Sequence, residues 1–251
     1  MKAKRKSKNK HSLVLFYTII LLLILIFVLV LTLALFTSFD EVTNVFIGGR
    51  IDIVLTEPNW KPGDGLNLVP DATIDKDPYV TNNEDLPVYV FLKVTVPAVK
   101  YNFDSNIDTD KGSKANADLS AYVPVYKFVT VDGSMESLDT TFSTVQLTNQ
   151  CWQPLENYPK LVGEGNSAVY EYVYYYSDTS AILSELPSGK TTIQPLFDRI
   201  HLLNLRNDSD YIPNRNYHVV VEAYGIQTRY LGNNGSDTND PVVVWKKIES
   251  N

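Results

Sequence analysis

Cysteine is almost absent from this sequence. The 251 residues include one cysteine, Cys151, so no disulfide can form within the chain. Stability must therefore come from packing or from a bound metal. We expect Cys151 to be a small buried residue beside Trp152, and a disulfide between two chains is the alternative.

Histidine is also scarce, and the motifs of common enzyme classes are missing. Of the three histidines, His11 lies near the N-terminus, and His201 and His218 do not form HExxH, the spacing that supplies two zinc ligands and a base. No GxSxG, Walker or Rossmann glycine pattern occurs. The sequence therefore predicts a protein that is not an enzyme, with no catalytic residue, no cofactor and no metal site.

Basic residues are few beyond the N-terminus. Six of the 22 lysines and arginines lie in the first ten residues, which leaves 16 against 29 acidic residues, a net charge near −13. Nucleic acids and anionic membrane surfaces attract clusters of lysine and arginine. We therefore expect no nucleic-acid partner, and contact with a membrane only through the N-terminal apolar run.

That apolar run is the most informative stretch of the sequence. Leu13 to Phe36 carries no charge, glycine or proline over 24 residues. As a helix it would be ~36 Å long, enough to cross a ~30 Å hydrocarbon core. The basic residues before it stay on the cytoplasmic side, so the remainder is exported. Thr32 and Ala34 suit cleavage after Ala34, and residues 1–34 are predicted to be a signal peptide or a membrane anchor.

The exported part has the pattern of a β-protein. One segment alternates apolar residues on one face with Tyr89, Phe91, Lys93 and Thr95 on the other, and another carries a row of tyrosines. The apolar face of the first comprises Val88, Val90, Leu92, Val94 and Val96, and the tyrosine row comprises Tyr170, Tyr172, Tyr174 and Tyr176. We count about nine strands, the last at Pro241–Ile248, and almost no helix after the leader. The predicted fold is all-β, an antiparallel jelly-roll-like β-sandwich over residues 50–251, preceded by an N-terminal hydrophobic signal or transmembrane helix.

Residues 35–49 are predicted to be a flexible segment ahead of this domain. The segment contains a short apolar stretch followed by two glycines, Gly48 and Gly49, which permit a hinge or a bulge. Its apolar residues are Val42, Val45, Phe46 and Ile47.

Several blocks of the sequence resemble the secreted biofilm-matrix proteins of Gram-positive bacteria typified by TasA and camelysin, which a SipW-type signal peptidase exports. These blocks are Phe36 to Trp60, Lys76 to Asn82 with VYVFLKVTVP, YEYVYYY, TTIQPLF, and Val219 to Gln227. The resemblance rests on their order and spacing over most of the exported chain, since no single motif is diagnostic.

The resemblance implies a jelly-roll subunit, extracellular or at the cell surface, that polymerises into matrix fibres by donating an N-terminal strand. The donor would be Val42, Val45, Phe46 and Ile47, with Gly48 and Gly49 as the hinge. Their burial would contribute ~6–12 kcal/mol against an association cost of ~4–15 kcal/mol, so main-chain hydrogen bonds and an open acceptor edge are also needed. Expected partners are other copies and other matrix or cell-surface proteins.

Two alternatives remain at this stage. Camelysin has been classed as a metalloendopeptidase, and a cell-surface protease of that kind is one alternative, although HExxH is missing. The other is a β-sandwich that stays tethered to the membrane and binds a surface partner.

Overall fold

The computed structural model describes residues 20–22, 43–46, 51–61, 69–102, 120–136, 144–178, 182–205, 217–232 and 236–250. The chain divides into two units, Met1–Asp40 and Glu41–Asn251. In the first unit residues 20–22 are helical. No helix among the described residues is long and apolar enough to cross a membrane. The rest of the predicted signal peptide or anchor, with its cleavage site at Ala34, lies outside the described residues.

The second unit consists mainly of β-strands. One α-helix and one 3-10 turn (Gly165–Ser167) accompany them in its described part. The elements are β1 (Thr43–Phe46), β2 (Ile53–Thr56), β3 (Thr73–Asp75), β4 (Tyr79–Asn82), β5 (Val88–Asn102), β6 (Ser120–Pro124), β7 (Tyr126–Val129), β8 (Trp152–Pro154), β9 (Lys160–Val162), β10 (Val169–Tyr176), β11 (Glu185–Leu186), β12 (Arg199–Leu202), β13 (Val220–Gln227) and α1 (Pro241–Glu249).

The largest sheet is built around β5. Its strand order is β1-β13-β5-β10-β8, with β6 and β11 also paired to β5 and β9 to β10. The 15-residue β5 is thus central, with β13 on one side and β10 on the other. The pairs are antiparallel except for β1 with β13, which is parallel. The prediction of an all-β fold with antiparallel sheets is confirmed, and this parallel edge pair is the exception.

The inner face of the large sheet carries the main core. The valines and Leu92 of β5 and the tyrosine row of β10 are buried in one cluster, so both predicted alternations are confirmed. Across from them lie two smaller sheets, β3-β12-β7 and β2-β4, which contribute Phe128, Ile200 and Ile53 to the same cluster. The layers form because each sheet has one apolar face that must leave water.

The outer face of the large sheet is covered by α1, where the sequence predicted a final strand. That prediction was wrong. The Asp240 side chain accepts hydrogen bonds from the backbone N–H groups of Val242 and Val243 at 2.9 and 3.2 Å, and Pro241 occupies the first helical turn. These are helix-start signals. They outweigh the strand preference of three consecutive valines because the helix also buries Val244, Trp245 and Ile248.

The strand count was too low, since the described residues contain 13 strands. The strands that the sequence did not indicate are two or three residues long, as in β3, β8, β9 and β11. Such segments are too short to show a period. Residues Thr141 to Leu147 have the composition of a strand, but their described part, residues 144–147, has no regular structure.

Candidate functional site

The candidate site is the edge of β13 that does not pair with β5, and β1 pairs with this edge. β1 pairs with β13 in parallel over four residues, from Thr43 opposite Glu222 to Phe46 opposite Gly225. The other edge of β13 pairs with β5 along its whole length. β1 therefore forms the outermost strand on this side, attached through main-chain hydrogen bonds to one neighbour. An edge of this kind recognises an extended segment of chain.

The inner side of the site depends on a glycine. A Cβ added at Gly225 would lie 3.0 Å from Ile51 Cγ2 and 3.1 Å from Ile53 Cγ2. The absence of a side chain at Gly225 thus lets β2 pack closely under β13. Ile51 and Ile53 are 2% and 1% exposed, so β13 packs against buried core residues on this side. A glycine within a strand often marks such an approach.

The outer side of the site is held by α1. The ring of Trp245 packs edge-on against Tyr224 of β13 at 5.2 Å between centroids, and it packs against Phe91 of β5 at 5.4 Å with the two rings tilted by 38°. Trp245 is 4% exposed. Aromatic pairs of this geometry add to the stabilisation from burial. β13 is therefore supported on both faces, by isoleucines inside and a tryptophan outside.

Tyr158 fixes the helix in this position. Its hydroxyl donates to Glu249 Oε1 at 2.8 Å and accepts from Trp245 Nε1 at 3.2 Å and from Lys160 Nζ at 3.1 Å. One hydroxyl thus joins the segment between β8 and β9 to both the middle and the end of α1.

Charged groups flank the site on the outer face. Lys93 Nζ forms an ion pair with Glu171 at 2.7 Å, and the Tyr224 hydroxyl donates to Glu222 at 3.4 Å. Burial, together with the negative charge of Glu222, raises the pKa of Tyr224 to about 12. The packed Tyr224 side chain therefore stays neutral to a higher pH than an exposed tyrosine does.

A second sheet edge, on β7, is covered differently. The side-chain amide of Gln146 accepts from the Phe128 N–H and donates to the Tyr126 carbonyl, both at 2.9 Å. One side chain thus replaces the two main-chain bonds that a neighbouring strand would make. Gln146 is buried, and its Nε2 also contacts the Tyr172 hydroxyl at 3.5 Å.

The predicted donor residues are placed in part by the structure. Val45 and Phe46 lie in β1. Val42, Ile47 and the hinge pair Gly48 and Gly49 lie outside the described residues. The sequence analysis missed two supporting residues, although each had a recognisable signal. Gly225 interrupts a strand, and Trp245, which was assigned to a strand, follows the Asp240 cap and Pro241 that begin a helix.

The other residues singled out in the sequence lie away from this edge or play structural parts. Cys151 is buried next to Trp152, as predicted, and burial raises its pKa to about 11. His201 Nδ1 lies 2.9 Å from the Thr73 hydroxyl, and His218 is exposed just before β13. The described residues contain no group of three or more His, Cys, Asp or Glu side chains arranged to hold a metal.

Comparison with known proteins gives no relative. No protein-family profile matches the chain, and neither the curated proteins nor the solved structures include a significant match.

Proposed function

We propose that this is a secreted structural protein of an extracellular biofilm matrix. Each copy donates its N-terminal segment, which contains β1, and this segment pairs with the edge of β13 in a neighbouring copy, so that the copies join into fibres. The proposal includes a jelly-roll arrangement of the sandwich, export by the N-terminal apolar run, and membership of the TasA and camelysin group. The observation that carries it is the pairing of β1, a short strand near the N-terminus, with one edge of β13 in parallel. In this structure the chain's own β1 occupies that edge, so the open acceptor edge that donation requires forms when β1 leaves.

The position of β1 suits exchange between copies. It is the first strand of its unit and pairs only with β13 among the described strands, so it can leave without unthreading another element. When it leaves, β13 exposes a row of main-chain groups that a second copy of β1 satisfies equally well. Exchange of an identical element is a low-cost route from monomer to assembly.

The sequence supports the compartment and the class of protein. The 24-residue apolar run follows a basic cluster, and the exported part is acidic and free of disulfides. The blocks that resemble the biofilm-matrix proteins include Phe36 to Trp60, which contains β1 and β2, and Val219 to Gln227, which contains β13. The resemblance therefore covers both the donated strand and the strand that accepts it.

A cysteine pair tests the proposal directly. In a Cys151→Ser background, Thr43→Cys and Glu222→Cys place two thiols opposite each other in the β1–β13 register. Oxidation of the monomer should join the two cysteines within one chain and block fibre growth. Oxidation after assembly should give a ladder of covalent oligomers on a denaturing gel, with Thr43→Cys alone as the control. Fibres whose cysteines join only within single chains would contradict strand donation.

A membrane-tethered sandwich is the second candidate, and the length of the apolar run favours it, because secretory segments are usually ~7–15 residues. Mass spectrometry of the N-terminus separates the two. A chain that begins near Leu35 supports secretion, whereas a chain that retains Met1 in the membrane fraction supports the tether.

A further inference from the structure

Strand donation by itself yields little net free energy. The contacts that β1 makes with a neighbour repeat those it makes in its own chain, while association still has its cost in translational and rotational entropy. A stable assembly therefore requires a contact that the monomer does not have. The geometry of β1 indicates where this contact must form.

The link between the donated strand and its own body is short. β1 ends at Phe46, and Ile51 is already fixed beneath Gly225 of its own chain. The five residue steps between them span at most ~18 Å when fully extended. A folded body of about 200 residues has a radius of gyration of about 16 Å. Two bodies joined by so short a link must touch.

The direction of β1 selects the surface that is touched. Because β1 is parallel to β13, its chain leaves toward the end where β13 finishes, at Gln227. Gln227 is the register partner of Val88, so this is also the end where β5 begins. The donor's body therefore lies against this end of the acceptor.

Two large apolar side chains are exposed at this end. Leu86, two residues before Val88, is 60% exposed, and Tyr230, three residues after Gln227, is 73% exposed. Single exposed apolar residues are ordinary, but these two extend past the same end of one strand pair.

The backbone at Tyr230 is held in an unusual conformation. Its φ is +63°, a left-handed value that bulky residues rarely adopt, and its N–H donates to Asp237 Oδ1 at 2.9 Å. A second bond closes the same loop, from the Gly232 N–H to the Ser236 carbonyl at 2.7 Å. The loop thus holds the backbone of Tyr230 in place, which lowers the backbone entropy lost when a partner covers this residue.

We propose that the end of the sandwich carrying Leu86 and Tyr230 is a docking surface for a second copy of this chain, the copy whose β1 is seated on β13. The surface rests on the proposed strand donation and adds the contact between bodies that the exchanged strand lacks. Burial of both side chains on assembly provides the part of the association free energy that exchange cannot.

Cysteine labelling tests the surface. Leu86→Cys and Tyr230→Cys, each in the Cys151→Ser background, are treated with a maleimide before and after assembly. Val131→Cys is the matched control, because Val131 is 61% exposed and lies after β7 in another sheet. We expect labelling at residues 86 and 230 to slow at least tenfold on assembly, and labelling at residue 131 to stay unchanged.

A second variant measures the effect on growth. Tyr230→Asp should lower the rate of fibre growth at least tenfold relative to Val131→Asp. The free energies of unfolding of the two variants should be equal, so that the difference in growth does not come from stability. Failure of either cysteine variant to assemble, while the Val131 control assembles, also supports the surface.

The outcomes separate the surface from the strand exchange. Assemblies that show covalent ladders through residues 43 and 222, but label at residues 86 and 230 as fast as at 131, would overturn the docking surface alone. A protein that stays monomeric, with those cysteines joined only within a chain, would overturn strand donation and the surface with it.

Discussion

The edges of β13 and β7 solve one physical problem in two ways. An open strand edge exposes N–H and C=O groups that invite another strand. At β13 a separate strand, β1, covers the edge, and it comes from the opposite end of the unit in sequence. At β7 the edge is covered from nearby in the chain, by the side-chain amide of Gln146, 18 residues from Phe128, and by a bridge between Val129 and Met135.

The difference lies in what can be exchanged. Gln146 is buried and bonded to two main-chain groups of the adjacent strand, so an equivalent residue from another copy cannot replace it without opening the core. Among the described strands, β1 pairs only with β13 and stands at the end of the sheet. Under the proposed strand donation the β7 edge is closed permanently and the β13 edge is closed by a removable strand, and the experiments below test that contrast.

The largest loss of stability is expected when Trp245, which packs against β13, is removed. Trp245→Ala removes a buried ring that contacts β13 and β5, and we expect the free energy of unfolding to fall by about 4 kcal/mol. Urea unfolding measures it, with the exposed Lys246→Ala as a control that should stay within about 0.5 kcal/mol. An effect as small as that of the control would mean that α1 does not hold β13.

The permanent edge comes next. Gln146→Ala leaves the Phe128 N–H and the Tyr126 carbonyl without their bonds, which should cost about 3 kcal/mol in unfolding free energy. Gln150→Ala, an exposed amide four residues on, should change it by less than about 0.5 kcal/mol. If the two variants unfold alike, the amide is not what closes the β7 edge.

Opening the β1–β13 edge should require less free energy than removing the Gln146 hydrogen bonds from β7. Asn44→Pro with Val45→Pro removes main-chain donors from β1, and we expect a loss of about 2 kcal/mol together with complete loss of fibre growth. Unfolding curves and electron microscopy of the same samples measure both. The contrast between the edges breaks down if this pair destabilises the protein more than Gln146→Ala does.

The smallest effect concerns alkaline pH. The folded pKa of Tyr224 is about 12, above its ordinary value of 10, so the unfolded chain ionises first. Stability is complete below about pH 10 and falls as the pH rises through 12, by about 1 kcal/mol for this residue after solvent screening. Tyr224→Phe should reduce this loss, as unfolding curves at pH 9 and pH 12 will show. An unchanged slope would place the alkaline sensitivity elsewhere, for example at the buried tyrosines of β10.

Long, strongly alternating segments could be predicted from the sequence, and short or locally capped ones could not. The valines of β5 and the tyrosines of β10 each repeat with period two over five or more residues, and both reach the predicted faces. β9 and β11 are too short to show a period. The strand predicted at Pro241–Ile248 rested on valine composition. The segment is a helix because Asp240 caps its start, a signal that is also present in the sequence.

The candidate site was predictable only from one side. The resemblance to the matrix proteins implied a donor in the apolar segment before the two glycines, and two residues of that segment, Val45 and Phe46, lie in a strand. The acceptor could not be inferred, because β13 is more than 170 residues away and nothing local in its sequence marks it as an edge strand. Gly225 offered a hint of close packing but not the identity of Ile51 and Ile53.

By itself the sequence determined the exclusion of internal disulfides, the acidic character of residues 11–251 and the alternating faces of β5 and β10, because these follow from composition and from the two-residue period of a strand. Tertiary structure alone decided which strand stands at the edge, the parallel pairing of β1 with β13, the hydrogen bonds from Gln146 to β7 and the packing of α1 against β13. Those features join residues far apart in the chain, and only the burial of both sheet faces brings them together.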